Sequence, residues 1–197
     1  MSLVVVPRKQ PLWVVTARFW SIAFWLLVLF HSSIGLAIKG LKIWTDDSTP
    51  SLTGGQYVFL VLWVLFMIMC GSFRGFHKQF SPMVVRRTFE GIKYEAPWHH
   101  LVFAPLFSGG FFYATKKRIL RAWALLVFII SAVIITHHLP YPWRNMVDLG
   151  VVCSCGWGAI SILYLSIYTT YSGKYPRGSK SDFPEATPSD VLKVASV

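Results

Sequence analysis

The chain has 197 residues, of which 54% are hydrophobic and 14% are charged, whereas a soluble domain carries about 25% charged residues. Its mean hydropathy is +0.53. These values exclude a disordered chain and argue against a soluble globular domain. The formal net charge of +11 would suit a protein that binds nucleic acid, but the placement of the basic residues indicates a membrane protein instead.

Four long stretches of the sequence are apolar and contain no Asp, Glu, Lys or Arg. A membrane-spanning helix needs about 20 mostly apolar residues. The stretches are apolar on every side and lack the two-residue alternation of a strand. We therefore predict an all-α, polytopic membrane protein. Its four predicted spans are residues 19–38, 57–73, 122–136 and 149–173.

A fifth uncharged stretch, residues 96–115, contains two prolines and two adjacent glycines, which make a poor continuous helix. If it crossed the membrane, the nineteen Lys and Arg residues would be divided almost evenly between the two sides. If it does not cross, all of them except Lys39, Lys42 and Arg144 lie on one side, as is typical of the cytoplasmic side. We therefore predict that residues 98–114 form an interfacial or re-entrant segment on the cytoplasmic face.

The predicted organisation has three parts. A cytoplasmic amino-terminal segment (1–18) precedes a four-helix membrane domain (19–171), which includes a basic cytoplasmic segment (74–121), and a flexible cytoplasmic tail (172–197) follows. The first span is too long for the hydrophobic region of a cleavable signal peptide, so we expect an uncleaved anchor in a bacterial inner membrane or an organelle membrane. The short connection between the third and fourth spans predicts that they pack as an antiparallel hairpin.

Three histidines at the predicted spans suggest a cofactor site. His31 lies inside the first span, and His137 and His138 end the third span on the same predicted side of the membrane. Because histidine is an axial ligand of haem iron, these residues could hold haem b. In the alternative interpretation they bond helix carbonyls and no cofactor is expected. The pair His99 and His100 fits no metal-ligand spacing, and we predict no metal site.

The basic segment contains nine Lys and Arg residues and the acids Glu90 and Glu95. Basic clusters beside a span attract anionic lipid headgroups, at about 1 kcal/mol per residue near the surface. We therefore predict that this segment binds membrane lipids and not nucleic acid. The predicted headgroup-binding residues are Arg86, Arg87, Lys116, Lys117 and Arg118.

Small residues recur at every fourth position of the fourth span, at Gly150, Ser154 and Gly158. Such a stripe lets two helices approach closely. The neighbour is either another helix of this chain or a helix of another subunit, which would be a membrane protein partner or a second copy. Within the chain, the first span offers small residues at Ser32, Gly35 and Ala37.

The sequence shows no arrangement of residues that fits a catalytic site, so we do not expect an enzyme. The leading hypothesis is a non-catalytic integral membrane accessory subunit or assembly factor, held to a larger complex by the fourth span and the basic segment. Two alternatives stay open. One is a b-type haem electron-transfer protein, and the other is a small transporter or lipid-handling protein that uses residues 105–110.

Overall fold

The computed structural model describes residues 11–45, 50–92 and 102–174, and this part of the chain is helical with short connections and no strand. Four continuous helices, which we call rods, are long and apolar enough to cross a membrane: Leu12–Thr45, Gly54–Gly91, Lys116–His137 and Trp143–Ser172. They confirm the predicted all-helical fold and the predicted number of such helices. Parts of the predicted terminal segments, and all of His99 and His100, lie outside the described residues. The elements are α1 (Leu12–Thr45), α2 (Gly54–Phe66), a π-helical segment (Met67–Phe80), α3 (Ser81–Gly91), α4 (Ala104–Gly109), α5 (Lys116–His137) and α6 (Trp143–Ser172).

The rods extend well beyond the apolar blocks of the sequence. Helix α1 has 34 residues and, at 1.5 Å per residue, is about 51 Å long, whereas the hydrocarbon layer of a bilayer is about 30 Å thick. Charged residues after an apolar block do not end a helix, because Lys, Arg and Glu are good helix formers. The apolar block therefore predicts the part of a helix that suits hydrocarbon and not the ends of the helix.

The second rod shows this difference most clearly. Its predicted apolar block ends at Phe73, but the helix continues without a break from Gly54 to Gly91. Thr53 caps the start of this helix, and its backbone N–H donates to Gln56 Oε1 at 2.9 Å, as in a capping box. In its middle, 14 residues form the π-helical segment, in which hydrogen bonds join residues five apart.

Helices α1 and α6 pack along each other, and α6 also lies along the π segment. Three separate clusters of buried apolar residues result. We call the end where α1 begins and α3 ends the basal end, and the end where α1 ends and α6 begins the apical end. The basal cluster is Val14, Ala17, Ile92, Ala104 and Phe107; the middle cluster is Leu29, Val85, Phe89, Ala159 and Ile162; the apical cluster is Ile43, Leu52, Leu60 and Met146.

The stripe of small residues on α6 packs within this chain. A Cβ atom added at Gly150 would overlap the Trp63 indole, and one added at Gly158 would lie 2.5 Å from the Phe76 ring. Between them, Ser154 Oγ donates to the Met67 carbonyl at 3.0 Å. The close neighbour of this stripe is therefore the second rod.

Helix α1 also packs on α6, but at Gly40 and not at the predicted Gly35. A Cβ atom at Gly40 would lie 2.7 Å from the Leu149 side chain, whereas a Cβ atom at Gly35 meets nothing within 4 Å. Near this contact, Asn145 Nδ2 donates to the Lys39 carbonyl at 2.7 Å. The apical halves of α1 and α6 are thus joined by close approach and by a hydrogen bond.

Helix α5 does not share in this packing. None of its 22 residues is buried, and among the described residues it contacts α6 and the turn after α4, where Arg118 lies against Gly110 and Trp123 against Phe111. The predicted hairpin of the third and fourth spans is therefore wrong as a packed unit. The short connection brings α5 and α6 together in the chain, but α1 and the second rod already cover the faces of α6 that bear its small residues.

Candidate functional site

Two nearly buried arginines mark the basal end of the bundle. Arg18 on α1 is 7% exposed. Its Nη2 donates to the carbonyls of Phe89 at 3.0 Å and Ile92 at 2.8 Å, and its Nε donates to Ile92 at 3.1 Å. These carbonyls belong to the last turn of α3 and to the residue after it. A cation at the negative end of a helix dipole is stabilising, so Arg18 caps α3.

Arg87 on α3 binds backbone carbonyls at the end of α4 and in the turn that follows it. It is 2% exposed, and its Nε donates to the Phe107 carbonyl at 2.8 Å. Its Nη2 donates to the carbonyls of Phe112 at 3.1 Å and Tyr113 at 3.0 Å. The planar guanidinium group presents several donors in a fixed geometry, and here it holds the turn that follows α4.

A network of hydroxyl groups fills the space between these arginines. Ser21 Oγ lies 3.1 Å from Thr88 Oγ1 and donates to Ser108 Oγ at 2.9 Å. Ser108 Oγ in turn donates to the Pro105 carbonyl at 2.8 Å. Trp25 Nε1 lies 3.0 Å from both Ser108 Oγ and the Pro105 carbonyl. We call Arg18, Ser21, Trp25, Arg87, Thr88 and Ser108 the basal polar junction.

Local sequence explains why these side chains meet. Arg18, Ser21 and Trp25 follow one another at spacings of three and four residues, so they share one face of α1. Gly109 lets α4 approach this face, because a Cβ atom there would lie 2.7 Å from the Trp25 ring. Gly110 ends α4 with a φ angle of +82°, which glycine adopts without strain. Helix α4 is thereby seated between α1 and α3.

The geometry of the basal polar junction is that of a structural contact between helices and not of a catalytic site. Each of its three hydroxyl groups has a hydrogen-bond partner, and Ser21, Thr88 and Ser108 are fully buried. An activated serine needs an adjacent base, and the described contacts of Ser108 are with Ser21, Trp25 and a backbone carbonyl. The junction joins α1, α3 and α4 into one unit, as satisfied polar networks do in apolar surroundings.

Replacing Ser108 by cysteine tests this enclosure. Because Ser108 is 0% exposed, we expect a water-soluble thiol reagent to label the S108C variant only after unfolding. The chain carries its own cysteines, of which Cys70 is exposed, so labelling is compared in a background with Cys70, Cys153 and Cys155 replaced by alanine. Rapid labelling in the folded protein would instead favour a water-filled pathway beside α4.

The predicted headgroup-binding residues do not form one surface. Arg87 points into the basal polar junction, and Arg86 pairs with Glu90 at 2.6 Å. Lys116 and Lys117 are exposed at the start of α5, while Arg118 lies against Gly110. Headgroup binding by the exposed lysines stays a prediction, and the described donors of Arg87 are directed to backbone carbonyls.

The three histidines proposed for haem are all exposed. His31 lies on α1, and His137 and His138 end α5. His138 Nδ1 lies 2.8 Å from the Ile134 carbonyl. The other ring nitrogen, Nε2, does not take part in this contact. Within the described residues, no group of three or more His, Cys, Asp or Glu side chains is arranged to hold a metal ion. The haem site stays a prediction.

The apical end contains a buried carboxyl group. Asp148 on α6 is 4% exposed, and its Oδ2 accepts no hydrogen bond from the part of the chain that the structure describes. The charges of Arg144 and Lys39 act on it, but neither forms an ion pair with it within 4 Å. Asp148 therefore faces the interior of the helical bundle.

Sequence reasoning missed the basal polar junction, although one signal was present. Arg18, Ser21 and Trp25 form a polar line on one face of an otherwise apolar helix, and polar residues of spanning helices usually face other helices. Their partners Arg87, Thr88 and Ser108 carry no such pattern, because all three lie in the basic segment, Ser108 in its proline- and glycine-rich part. Comparisons with protein-family models, curated proteins and solved structures find no match to this chain.

Proposed function

We propose that the chain is a multi-pass integral membrane protein that serves as a non-catalytic accessory subunit or assembly factor of a larger membrane complex. In this proposal α1, the second rod, α5 and α6 cross the bilayer. The observation that carries the proposal is the contrast between α5 and the rest of the molecule. Helix α5 is long and apolar enough to cross a membrane, yet none of its residues is buried in its own bundle.

The other three rods are fixed to one another by specific contacts. Arg18 on α1 binds carbonyls at the basal end of the second rod, the small residues of α6 pack against the second rod, and Gly40 of α1 packs on Leu149 of α6. These contacts give a three-rod core with α5 beside it. A helix that its own bundle leaves uncovered is available to a neighbouring subunit, because helix association in membranes depends on close packing between helices.

The distribution of charge supports an orientation for this proposal. The basic residues of the second rod and of the start of α5 lie toward the basal end, whereas Lys39, Lys42 and Arg144 lie toward the apical end. The positive-inside rule then places the basal end and both termini on the cytoplasmic side. Helix α4 would form an interfacial or re-entrant segment there, followed by the exposed Lys116 and Lys117 at the level of the lipid headgroups.

Extraction of the tagged protein from its native membrane in mild detergent tests the proposal. We expect one or more membrane proteins to co-purify in a fixed stoichiometry. A monodisperse protein without partners, at a mass that corresponds to the chain and its detergent alone, would contradict the proposal. As a matched control, the R86A variant changes a half-buried surface pair and should retain every partner.

One observation favours a second candidate, the b-type haem protein. A histidine that ligates a metal usually donates its other ring N–H to a carbonyl, and His138 Nδ1 lies 2.8 Å from the Ile134 carbonyl. The same preparation distinguishes the two candidates. A Soret absorption band that is lost in H138A would support haem binding. A colourless protein would contradict the haem proposal.

A further inference from the structure

We propose that one face of α5 binds a transmembrane helix of a different protein, and that this partner helix carries Asp or Glu at the end that lies beside Lys116 and Lys117. The inference rests on the proposed accessory-subunit function and identifies the surface and the chemistry of the partner. We call this surface the α5 outer face. It consists of Leu120, Ala124, Val127, Ser131 and Ile134.

The residues of the α5 outer face point away from the bundle. They follow one another at spacings of four and three residues, so they lie in one line on the helix. Leu120 is 71% exposed, Val127 is 59% exposed and Ile134 is 56% exposed. The half-buried residues of the helix, which include Ala122, Leu126 and Thr136, share the opposite side. The line therefore repeats every 3.5 residues, which suits packing against a single neighbouring helix.

The size and polarity of this line suit a protein neighbour. Large residues at 120, 127 and 134 alternate with the small residues Ala124 and Ser131, which allow close approach of a second helix. Ser131 is exposed in the middle of the helix. Among the described residues, the hydroxyl groups of Ser33 and Thr170 donate hydrogen bonds to the carbonyl four residues earlier. Ser131 makes no such bond. Its hydroxyl is thus available to a donor or acceptor across a helix interface.

The charge of the two lysines beside the α5 outer face favours one kind of partner protein. Lys116 and Lys117 are exposed and lie four and three residues before Leu120, so they flank the basal end of the line. Two copies related by an axis along the membrane normal would bring these lysines together, and like charges repel. A partner helix with carboxylates at that end forms favourable pairs instead. A second copy is therefore disfavoured, and a different protein with acidic flanking residues is favoured.

Photocrosslinking in the native membrane tests the face directly. A photoreactive residue is placed singly at Ala124, Val127 or Ser131, and as matched controls at Leu125 and Ile129, which are exposed on the other side of α5. We expect one protein adduct of constant mass from the three outer-face positions and none from the controls. Adducts of twice the mass of the chain, adducts with lipid alone, or equal adducts from every position would each overturn the inference.

Charge exchange tests the chemistry of the partner. In the K116E/K117E variant, we expect the yield of the Val127 adduct to fall at least threefold, and reversal of the acidic residues of the crosslinked partner to Lys should restore it. An adduct that does not respond, or a partner without acidic flanking residues, would contradict the proposal. If partners co-purify but crosslink only elsewhere, this inference fails and the accessory-subunit proposal stands. If no partner co-purifies, the proposed function itself fails.

Discussion

Replacement of Arg87 by alanine is expected to destabilise the folded protein by about 3 kcal/mol or more. The change removes hydrogen bonds to three carbonyls, at Phe107, Phe112 and Tyr113. The Phe107 carbonyl keeps the Gly110 N–H at 3.1 Å, but the other two lose this donor, and a buried acceptor left without a partner costs about 1–3 kcal/mol. It also removes the cation that packs 4.8 Å from the Phe107 ring. The free energy of unfolding is measured by denaturant titration of tryptophan fluorescence in detergent micelles.

The neighbouring residue provides a matched control. Arg86 forms a half-buried pair with Glu90 on the same helix, and such pairs contribute about 1 kcal/mol or less. We expect R86A to unfold within about 1 kcal/mol of the parent protein. Because R87A could fail to fold, R87K is measured beside it. Lysine keeps the charge but lacks the planar set of donors, so R87K should lie between R86A and R87A. Equal stability of R86A and R87A would contradict the structural role of Arg87.

Replacement of Gly158 by alanine is expected to destabilise the protein by about 1–3 kcal/mol through overpacking. The new Cβ atom would lie 2.5–2.9 Å from three atoms of the Phe76 ring, so the ring or the helix must move. Phe76 packs edge-on against Phe80, with ring centroids 5.6 Å apart, and this contact limits the movement. Thermal unfolding followed by loss of monodispersity, with denaturant titration as above, measures the effect.

The control for Gly158 lies two residues earlier on the same helix. A Cβ atom at Gly156 meets nothing within 4 Å, and alanine is more favourable than glycine inside a helix by about 0.8–1.0 kcal/mol. We therefore expect G156A to be as stable as the parent protein or slightly more stable. If G158A matched G156A, the close packing of α6 on the second rod would be refuted.

The number of helices long and apolar enough to cross a membrane could be predicted because it depends on the length of each apolar run, its proline and glycine content and the placement of charges. A run of about 20 apolar residues has few alternatives to a helix in hydrocarbon, and each of the four runs became one rod. The ends of the rods depend on helix propensity and local capping, which the hydropathy pattern does not contain. The second rod therefore passes Arg74 and continues to Gly91. Its π segment places Phe76 five residues after Gly71, so that both contact α6.

The basal polar junction could be predicted only in part. Hydropathy alone predicts that an arginine side chain lies at the solvent-exposed surface. Arg87 was therefore predicted to bind lipid headgroups. The structure directs it to carbonyls instead, because the turn after α4 ends in groups that no helix satisfies. Which distant carbonyls meet which arginine depends on tertiary packing, and a single sequence without the fold does not reveal it. The same limit applied to α5, whose short connection to α6 wrongly predicted close packing.

The contacts of Arg18 also bear on the order in which the protein is made. The carbonyls it binds lie 71 and 74 residues later in the chain. At a synthesis rate of about 5–20 residues per second, the ribosome needs roughly 4–15 s to deliver them after Arg18 has emerged. During this interval α1 holds a guanidinium group that has not yet found its final acceptors. Arg18 therefore reaches its final acceptors only after the end of α3 has been synthesised.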